Sequence, residues 1–176
     1  KSIFTSIHRE INIMAKISHP SILKFIGYSE KSFNNRSRPV IITEYSHNGS
    51  LKDILKHERG LRSQNLNSTK KLINIFGIAS AMSFLHLNNI IHRDLKPANI
   101  LENEYLFPQI ADFGLSKKFH ENTNSMTSQS TKKLQGTYTY ISPEGLQNNT
   151  YTKAGDVYAF SLIVYEIMTL QEPYKD

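Results

Sequence analysis

The chain has 176 residues, of which 39% are hydrophobic and 20% charged, a composition typical of one soluble globular domain and unlike that of a disordered segment. It contains no cysteine, which excludes disulfide scaffolds, thiolate metal sites and cysteine nucleophiles. The net charge of +6 comes from lysines and arginines scattered among polar residues, so we expect a solvated basic surface rather than a nucleic-acid interface.

Neither end of the chain nor its most apolar stretch indicates export or a membrane. Residues 1–14 lack a long apolar core and contain Glu10, which argues against a signal peptide. Residues 157–170 are apolar but fall short of the roughly 20 residues of a membrane-spanning helix, and they carry Glu166, so we expect a buried helix. Because the pattern starts and stops without a tail or a cap, we also expect a piece of a larger domain.

The first third of the chain predicts one helix followed by a small hairpin. Apolar residues from Ile3 to Met14 recur at spacings of three and four, the period of an amphipathic helix, which Pro20 ends. Two apolar runs joined by the polar residues 31–39 then indicate paired strands. The expected elements are a helix at 3–17, strands at 22–28 and 40–45, a turn at 47–50 and a short helix at 51–56.

The rest of the chain predicts mainly helices, and the order of elements predicts an α+β fold. Residues 68–88 are a strong helix candidate with Ser68 as its N-cap, and residues 156–170 are apolar nearly all round, which indicates a central helix. Residues 117–133 are polar and should be mobile. The core-facing stripe expected on the first of these helices is Leu72, Ile75, Phe76, Ala79, Met82 and Leu85. Short apolar segments are expected at 90–91, 100–101 and 106–111, the last as a strand.

Two segments a short hairpin apart, HRDLKPAN and ADFG, carry residue types suited to phosphoryl transfer. Asp94 lies in a loop, where it can accept a hydroxyl proton, and Lys96 can offset charge on a transferred phosphate. Asn99 and Asp112 supply an amide and a carboxylate oxygen, which are ligands that Mg²⁺ prefers. A transferring phosphoryl group needs positioned metal ions, a positioned hydroxyl and nearby cations, so these segments predict that chemistry.

The order and spacing of these motifs resemble the eukaryotic protein kinase family over nearly the whole chain, from the helix that the family names αC to its helix αF. After HRDLKPAN and ADFG come GTYTYISPEG, with Ser142 where alanine is usual, and DVYAF, which begins at Asp156. The resemblance implies an α+β, protein-kinase-like fold. It implies one incomplete kinase domain, residues 1–176, with a partial small N-lobe at 1–46 and a truncated, mainly helical C-lobe at 47–176.

The resemblance also implies a role for each matched residue. Asp94 is the catalytic base and Lys96 a phosphate contact, while Thr137 pairs with both and ties the substrate platform to the catalytic loop. Asn99 belongs to the same catalytic set and, with Asp112, holds the Mg²⁺ (or Mn²⁺) that accompanies ATP. The residues expected at the nucleotide are Glu10, Thr43, Glu44, Tyr45, Ser46, Ser50 and Leu101.

Within this nucleotide set, the resemblance assigns parts to the hinge sequence ITEYSHNGSL. Thr43 is the gatekeeper, and residues 44–46 offer backbone contacts to adenine. Ser50 is a ribose-side contact, although a turn or cap role is the alternative for a serine in this context. Glu10 stands where the family has the αC glutamate.

The substrate class follows from the resemblance as well. Lys96 followed by Pro97 resembles serine/threonine kinases, as does Thr137 after a glycine, and the hinge sequence resembles the tyrosine-kinase-like group. We therefore expect a cytoplasmic signalling enzyme that transfers the γ-phosphate of ATP to a Ser or Thr hydroxyl of a protein substrate. Neither a nucleic-acid partner nor a membrane span is expected.

Part of the family pattern has no counterpart in the sequence. Residues 1–9 contain neither a glycine-rich loop nor a strand with the lysine that grips the α- and β-phosphates, and the arginine partner of Glu144 is also missing. Three interpretations stay open: a segment of an active kinase, a catalytically dead scaffold that acts through its surfaces, and an incomplete product without a stable fold. Retention of the whole catalytic and metal-binding set favours the first, although we expect the isolated chain to be inactive.

Overall fold

A computed structural model of the chain describes residues 2–32, 34, 39–61, 66–118, 126–127 and 137–175. The described elements mix helices with short strands, which is the predicted α+β class. In chain order they are α1 (Ser2–Met14), β1 (Phe25–Ser29), β2 (Val40–Thr43), α2 (Leu51–Leu61), α3 (Ser68–Leu87), β3 (Ile90–Ile91), β4 (Ile100–Glu102), β5 (Pro108–Ile110), β6 (Lys117–Lys118), β7 (Met126–Thr127), α4 (Pro143–Asn148), β8 (Thr150–Tyr151) and α5 (Lys153–Thr169), with short 3₁₀ turns at Pro97–Asn99 and Tyr138–Tyr140.

The described strands pair two by two in antiparallel fashion, as β1–β2, β3–β6, β4–β5 and β7–β8. The β4–β5 hairpin sets Ile100 opposite Ile110 and leads directly to the ADFG segment. A short parallel bridge joins Ile22 to Ile110, with hydrogen bonds from Leu23 N to Ile110 O (3.0 Å) and from Ile110 N to Ser21 O (2.9 Å). The segment before β1 is therefore joined to the hairpin that carries the candidate site.

One cluster of buried apolar side chains joins these elements. Burial of apolar side chains is the main favourable contribution to folding, so a loop that places a side chain in this cluster is held in a fixed position. The cluster includes Leu95 from the HRDLKPAN loop and Phe113 from ADFG, which fixes both segments to the core. Its other fully buried members include Leu51 and Leu55 of α2, Ile78 and Leu85 of α3, Ile100 of β4, Ile110 of β5, and Ile163 and Ile167 of α5.

Helix α1 ends at Met14, three residues before its predicted end. Ala15 and Lys16 form a turn in which the Lys16 N–H donates to Ile13 O (3.0 Å), and residues 17–19 have no regular secondary structure before Pro20. Proline disfavours the helical conformation of the residue before it. The His19 ring also accepts the Ser21 N–H (3.1 Å), which draws this residue into the following turn.

The cap and the buried face of α3 differ from the prediction. Asn67, not Ser68, is the N-cap, since its side chain accepts the Lys70 N–H at 3.0 Å. Leu72 and Phe76 are 63% and 76% exposed, whereas the buried positions are Asn74, Gly77, Ile78, Ala81, Met82 and Leu85. The first half of the helix packs on the β5 hairpin through small and polar residues. Its buried face is therefore set by how closely the helix backbone approaches the hairpin and not by the hydrophobicity of its side chains.

Gly77 marks the closest approach of α3 to the hairpin. A Cβ at this position would lie 2.7 Å from Pro108 Cγ and 2.9 Å from Ser21 Oγ, so we expect Gly77→Ala to lower the free energy of unfolding by about 1–3 kcal/mol. Gly60 of α2 has no atom within 4 Å of the same position, and Gly60→Ala should stabilise by about 0.5–1 kcal/mol. Urea denaturation of both variants measures this difference, and equal effects would contradict the packing described.

The other predicted elements shift at their ends. Helix α2, predicted to begin over residues 51–56, starts at Leu51 and runs to Leu61. Helix α5 begins at Lys153 instead of 156 because Thr152 caps it by accepting the Gly155 N–H (2.9 Å). It is central on one face only, since it exposes Val157, Tyr165 and Met168. Three strands are shorter than predicted or shifted along the chain, because residues at their predicted ends belong to turns or to the hinge instead; the predicted ranges were 22–28, 40–45 and 106–111.

The polar stretch predicted to be mobile, 117–133, lies largely outside the described residues, which include only β6 and β7 of it. Within the described ranges, no helix has both the length and the apolar character needed to cross a membrane.

Candidate active site

The Asp94 carboxylate is hydrogen-bonded on both oxygens. Its Oδ2 accepts from Lys96 Nζ (2.7 Å) and Asn99 Nδ2 (3.0 Å), and its Oδ1 accepts from the Thr137 N–H (3.2 Å). Its side chain is only 9% exposed. Donors from three directions fix the orientation of this carboxylate while leaving it able to accept a further proton or hydrogen bond.

Lys96 connects the catalytic loop to the segment that follows residue 136. Its ammonium nitrogen lies 2.7 Å from Asp94 Oδ2 and donates to Thr137 Oγ1 at 2.9 Å. The structure thus brings together all four residues of the predicted catalytic set, Asp94, Lys96, Asn99 and Thr137. A carboxylate acceptor beside an ammonium group is an arrangement that can take a proton from a hydroxyl and offset negative charge nearby.

Asp156, in the first turn of α5, holds the backbone of the HRD tripeptide. Its buried carboxylate accepts from the His92 N–H (2.8 Å) and the Arg93 N–H (3.0 Å), and it also contacts His86 Nε2 (3.1 Å). Arg93 has φ of 74°, a left-handed conformation that a non-glycine residue adopts only when its surroundings impose it. Here the His92 and Arg93 N–H groups donate two charge-assisted hydrogen bonds to the Asp156 carboxylate, which hold this conformation and so orient the adjacent Asp94.

His92 links the catalytic loop to the ADFG segment without touching the reactive groups. The ring is fully buried, its Nε2 lies 3.0 Å from Ala111 O, and its edge packs against the Phe113 ring at 5.3 Å between centroids. The Ser116 hydroxyl donates to His92 O at 3.1 Å. Ser116 was not identified from the sequence, because nothing local distinguishes it from a surface serine.

Asn99 and Asp112 present oxygens suited to a hard cation. Both hydrogen bonds of the Asn99 side chain use Nδ2, to Asp94 O (2.8 Å) and Asp94 Oδ2 (3.0 Å), so the amide oxygen is the atom available for a ligand. The Ala111 N–H donates to Asn99 O at 2.8 Å, which sets the exposed Asp112 beside this loop. Mg²⁺ keeps several waters and needs few protein oxygens, so this pair fits it.

Glu10 of α1 is near enough to Asp112 for the two negative charges to interact. Burial raises the pKa of the Glu10 side chain, the negative charge of Asp112 raises it further, and a backbone hydrogen bond from Phe113 lowers it. Two carboxylates close together repel each other, and a cation between or beside them would relieve that repulsion. The charge distribution of the site therefore agrees with the oxygen ligands in favouring a bound cation.

The predicted hinge begins at Thr43, the last residue of β2, and continues through Glu44, Tyr45 and Ser46. The Glu44 carboxylate accepts from the Lys24 N–H (2.9 Å) and from Gln109 Nε2 (2.5 Å), and the Ser46 hydroxyl donates to Gln109 Oε1 (3.1 Å). Tyr45 is exposed, with its ring edge against His47. The Thr43 hydroxyl donates to Glu44 O at 3.1 Å. The fold therefore uses the side chains of Thr43, Glu44 and Ser46 internally, together with the Glu44 N–H, which donates to Lys24 O at 3.0 Å.

Ser50 caps α2, which is the alternative that the sequence left open. Its hydroxyl donates to Asp53 Oδ2 (2.5 Å) and accepts the Asp53 N–H (3.2 Å). The S-x-x-D pattern, which the sequence analysis missed, is the signal for this arrangement. An antiparallel bridge sets Ser50 beside Leu101 of β4, so two residues expected at the nucleotide are neighbours.

Comparisons with known proteins agree with this arrangement. A family model described as the protein kinase domain matches residues 1–176. The serine/threonine-protein kinase STY17 of Arabidopsis thaliana is 34% identical over 168 residues, a match that covers 95% of this chain and 27% of that protein. The serine/threonine-protein kinase CTR1 of the same plant is 36% identical, with 94% of this chain and 19% of that protein covered.

A third relative is the probable serine/threonine-protein kinase drkC of Dictyostelium discoideum, 34% identical over 95% of this chain and 21% of that protein. The chain thus spans about a fifth to a quarter of the length of these relatives. Because the family model covers every residue and three relatives exceed 30% identity, the family prediction is confirmed, and the chain belongs to the protein kinase domain family.

Proposed function

We propose that the chain forms the catalytic-loop side of a serine/threonine protein kinase of the tyrosine-kinase-like group. Such an enzyme transfers the γ-phosphate of ATP to a serine or threonine hydroxyl of a protein. The observation that carries this proposal is the hydrogen-bonded set of Asp94, Lys96, Asn99 and Thr137 next to Asp112. In the proposed domain, residues 1–46 belong to the small lobe and residues 47–176 to the large lobe.

Each member of the set has a distinct part in the proposed reaction. Asp94 accepts the proton of the attacking hydroxyl, and Lys96 offsets the negative charge that collects on the transferred group. Asn99 and Asp112 hold Mg²⁺ or Mn²⁺, which when bound neutralises charge on the phosphates. Thr137 keeps the segment that receives the substrate in register with the loop, through its hydrogen bonds to Asp94 and Lys96.

The acceptor class is supported by residues as well as by relatives. Lys96, which serine/threonine kinases share, contacts both the catalytic carboxylate and the Thr137 hydroxyl. The three relatives named above are serine/threonine-protein kinases by their names. We extend this to a protein substrate with Ser or Thr at the acceptor position and to a cytoplasmic location.

The acceptor class can be tested with the full-length protein, Mg²⁺ and γ-labelled ATP. Three peptides that differ only in carrying Ser, Thr or Tyr at one position serve as matched acceptors. We expect label on the Ser and Thr peptides and little on the Tyr peptide, because the loop that holds Asp94 and Lys96 is of the serine/threonine type.

Two other results are informative. Label mainly on the Tyr peptide would contradict the proposed acceptor class. No label on any peptide, from protein that binds ATP, would favour the catalytically inactive binding module instead.

A further inference from the structure

We propose that Gln109 is a positioning residue that fixes the hinge, residues 44–46, for recognition of the base of an adenine nucleotide. The inference rests on the proposed function, since it concerns how the same site takes its nucleotide. Gln109 lies in β5, two residues before Ala111 and three before Asp112, and it touches none of the reacting groups.

The geometry of this clamp is specific to an amide. Gln109 is 6% exposed; its Nε2 donates to Glu44 Oε1 (2.5 Å) and its Oε1 accepts from the Ser46 hydroxyl (3.1 Å). One planar group thus holds both neighbours of the exposed Tyr45. A glutamine can do this because it combines a donor for an anionic oxygen with an acceptor for a hydroxyl.

The Glu44 carboxylate extends the clamp to a third segment. Its Oε1 also accepts from the Lys24 N–H (2.9 Å), while the Glu44 N–H donates to Lys24 O (3.0 Å). The hinge is therefore fastened to the residue before β1 and to β5 through one carboxylate oxygen. Hydrogen bonds to a charged acceptor are stronger than neutral ones, so Gln109–Glu44 is the stronger arm of the clamp.

The position of Gln109 in the chain gives the clamp a consequence for binding. The chain runs from Gln109 in β5 through Ile110, the end of that strand, to Asp112, so the amide sets the hinge at a fixed place relative to the proposed metal-binding carboxylate. A nucleotide whose base binds the hinge and whose phosphates lie near Asp112 can make both contacts only if the hinge and Asp112 are the right distance apart. Loss of the clamp therefore weakens nucleotide binding more than it alters the chemistry at Asp94.

The test compares clamp variants of the full-length protein by equilibrium titration with a fluorescent adenine nucleotide and by steady-state kinetics. Gln109→Leu removes both contacts, and we expect the Kd and the KM for ATP to rise about tenfold, which corresponds to one charge-assisted hydrogen bond. The KM for the peptide should not change, and kcat should change by less than about twofold, because the interaction lost is one of binding and not of the transition state alone.

Two further variants keep the test decisive if Gln109→Leu fails to fold. Ser46→Ala removes only the weaker arm and should raise the KM for ATP by a smaller factor. Gln109→Lys keeps a donor for Glu44 and should recover part of the affinity that Gln109→Leu loses. Gln147→Leu, which alters an exposed glutamine of α4, is the matched control and should behave as wild type.

The outcomes separate this inference from the function on which it rests. If the wild-type protein binds no adenine nucleotide, the proposed function itself is wrong, and the clamp with it. If wild type binds ATP while folded Gln109→Leu and Ser46→Ala bind it equally well, the clamp has no role and the proposed function stands. A fall in kcat at constant KM for ATP would also overturn the inference, because it would place the effect in the chemical step.

Discussion

Replacing Asp94 with Asn is expected to lower kcat for peptide phosphorylation by about 10²–10⁴-fold, the usual contribution of a general base. Asparagine has the same shape, and its amide oxygen can still accept from the Thr137 N–H, while its NH2 group replaces the oxygen that accepts from Lys96 and Asn99. It cannot take the proton of an attacking hydroxyl, and it removes the ionic partner of Lys96. Affinity for nucleotide should fall much less than turnover, because Asp94 contacts Asn99 through the Nδ2 donor and leaves the amide oxygen, the proposed metal ligand, in place.

Asp112→Asn provides the diagnostic comparison for this variant. Asp112 is exposed beside Asn99, and its replacement should weaken binding of Mg²⁺-ATP as well as turnover. Steady-state kinetics and nucleotide titration should therefore distinguish the two variants. Asp94→Asn should mainly lower kcat, whereas Asp112→Asn should lower kcat and also raise the Kd for the nucleotide. Undiminished turnover by Asp94→Asn would remove Asp94 from the role of base.

The second large effect is expected from a buried carboxyl group at the end of β4. Glu102 is 0% exposed, and neither of its carboxyl oxygens meets a hydrogen-bond donor at bonding distance among the described residues. The buried Asn74 Oδ1 on α3 likewise has no hydrogen-bond donor among the described residues. Burial raises the pKa of Glu102 to about 8, against smaller opposing effects of Asn74 and the Lys70 charge. A proton on Glu102 supplies the donor that this buried pair of groups lacks.

The sign of the pH dependence follows from that raised pKa. In the unfolded chain the group titrates near its ordinary value of 4.5, so between that pH and about 8 the folded state holds a proton that the unfolded state has lost. The contribution of Glu102 to stability is therefore complete below about pH 4.5 and is lost as the pH rises through the folded value. Over this window the free energy of unfolding should fall by about 1.4 kcal/mol per pH unit.

Glu102→Gln should remove this slope, because glutamine keeps the shape of the protonated acid and cannot ionise. Urea denaturation of wild type and variant at several values between pH 5 and pH 8 isolates the contribution of this one group. We expect the free energy of unfolding of the variant to rise steadily relative to that of wild type as the pH increases. Glu104→Gln, two residues on in an exposed turn, is the matched control and should follow wild type. Parallel curves for wild type and Glu102→Gln would contradict a buried proton here.

That Asp94, Lys96 and Asn99 come together could be predicted from the sequence, because these residues are close together in the chain; their catalytic roles stay predictions. Asp94, Lys96 and Asn99 lie within six residues, and the loop geometry that joins them is local. The residues that aim this loop could not be predicted in the same way. Asp156 contacts His92 across 64 positions, and Gln109 contacts Glu44 across 65, so only the folded chain reveals these partners.

Helix α3 shows why its buried face could not be predicted from hydrophobicity. The expected stripe included Leu72 and Phe76, which are exposed, because the helix meets β5 through Gly77 and Asn74 instead. A glycine allows the Pro108 ring to approach closely, and that contact sets the rotation of the helix. The C-terminal part of the stripe, Met82 and Leu85, was predicted correctly, because there the helix packs on the core through apolar side chains.

The most direct test of the proposed phosphotransfer site is a single-turnover measurement with the full-length protein, a Ser-containing peptide, γ-labelled ATP and Mg²⁺. We expect transfer of label to the serine hydroxyl, dependent on the metal ion and nearly abolished in Asp94→Asn. Protein that binds Mg²⁺-ATP but transfers no label, or that transfers it equally well without Asp94, would show that this is not a phosphotransfer site.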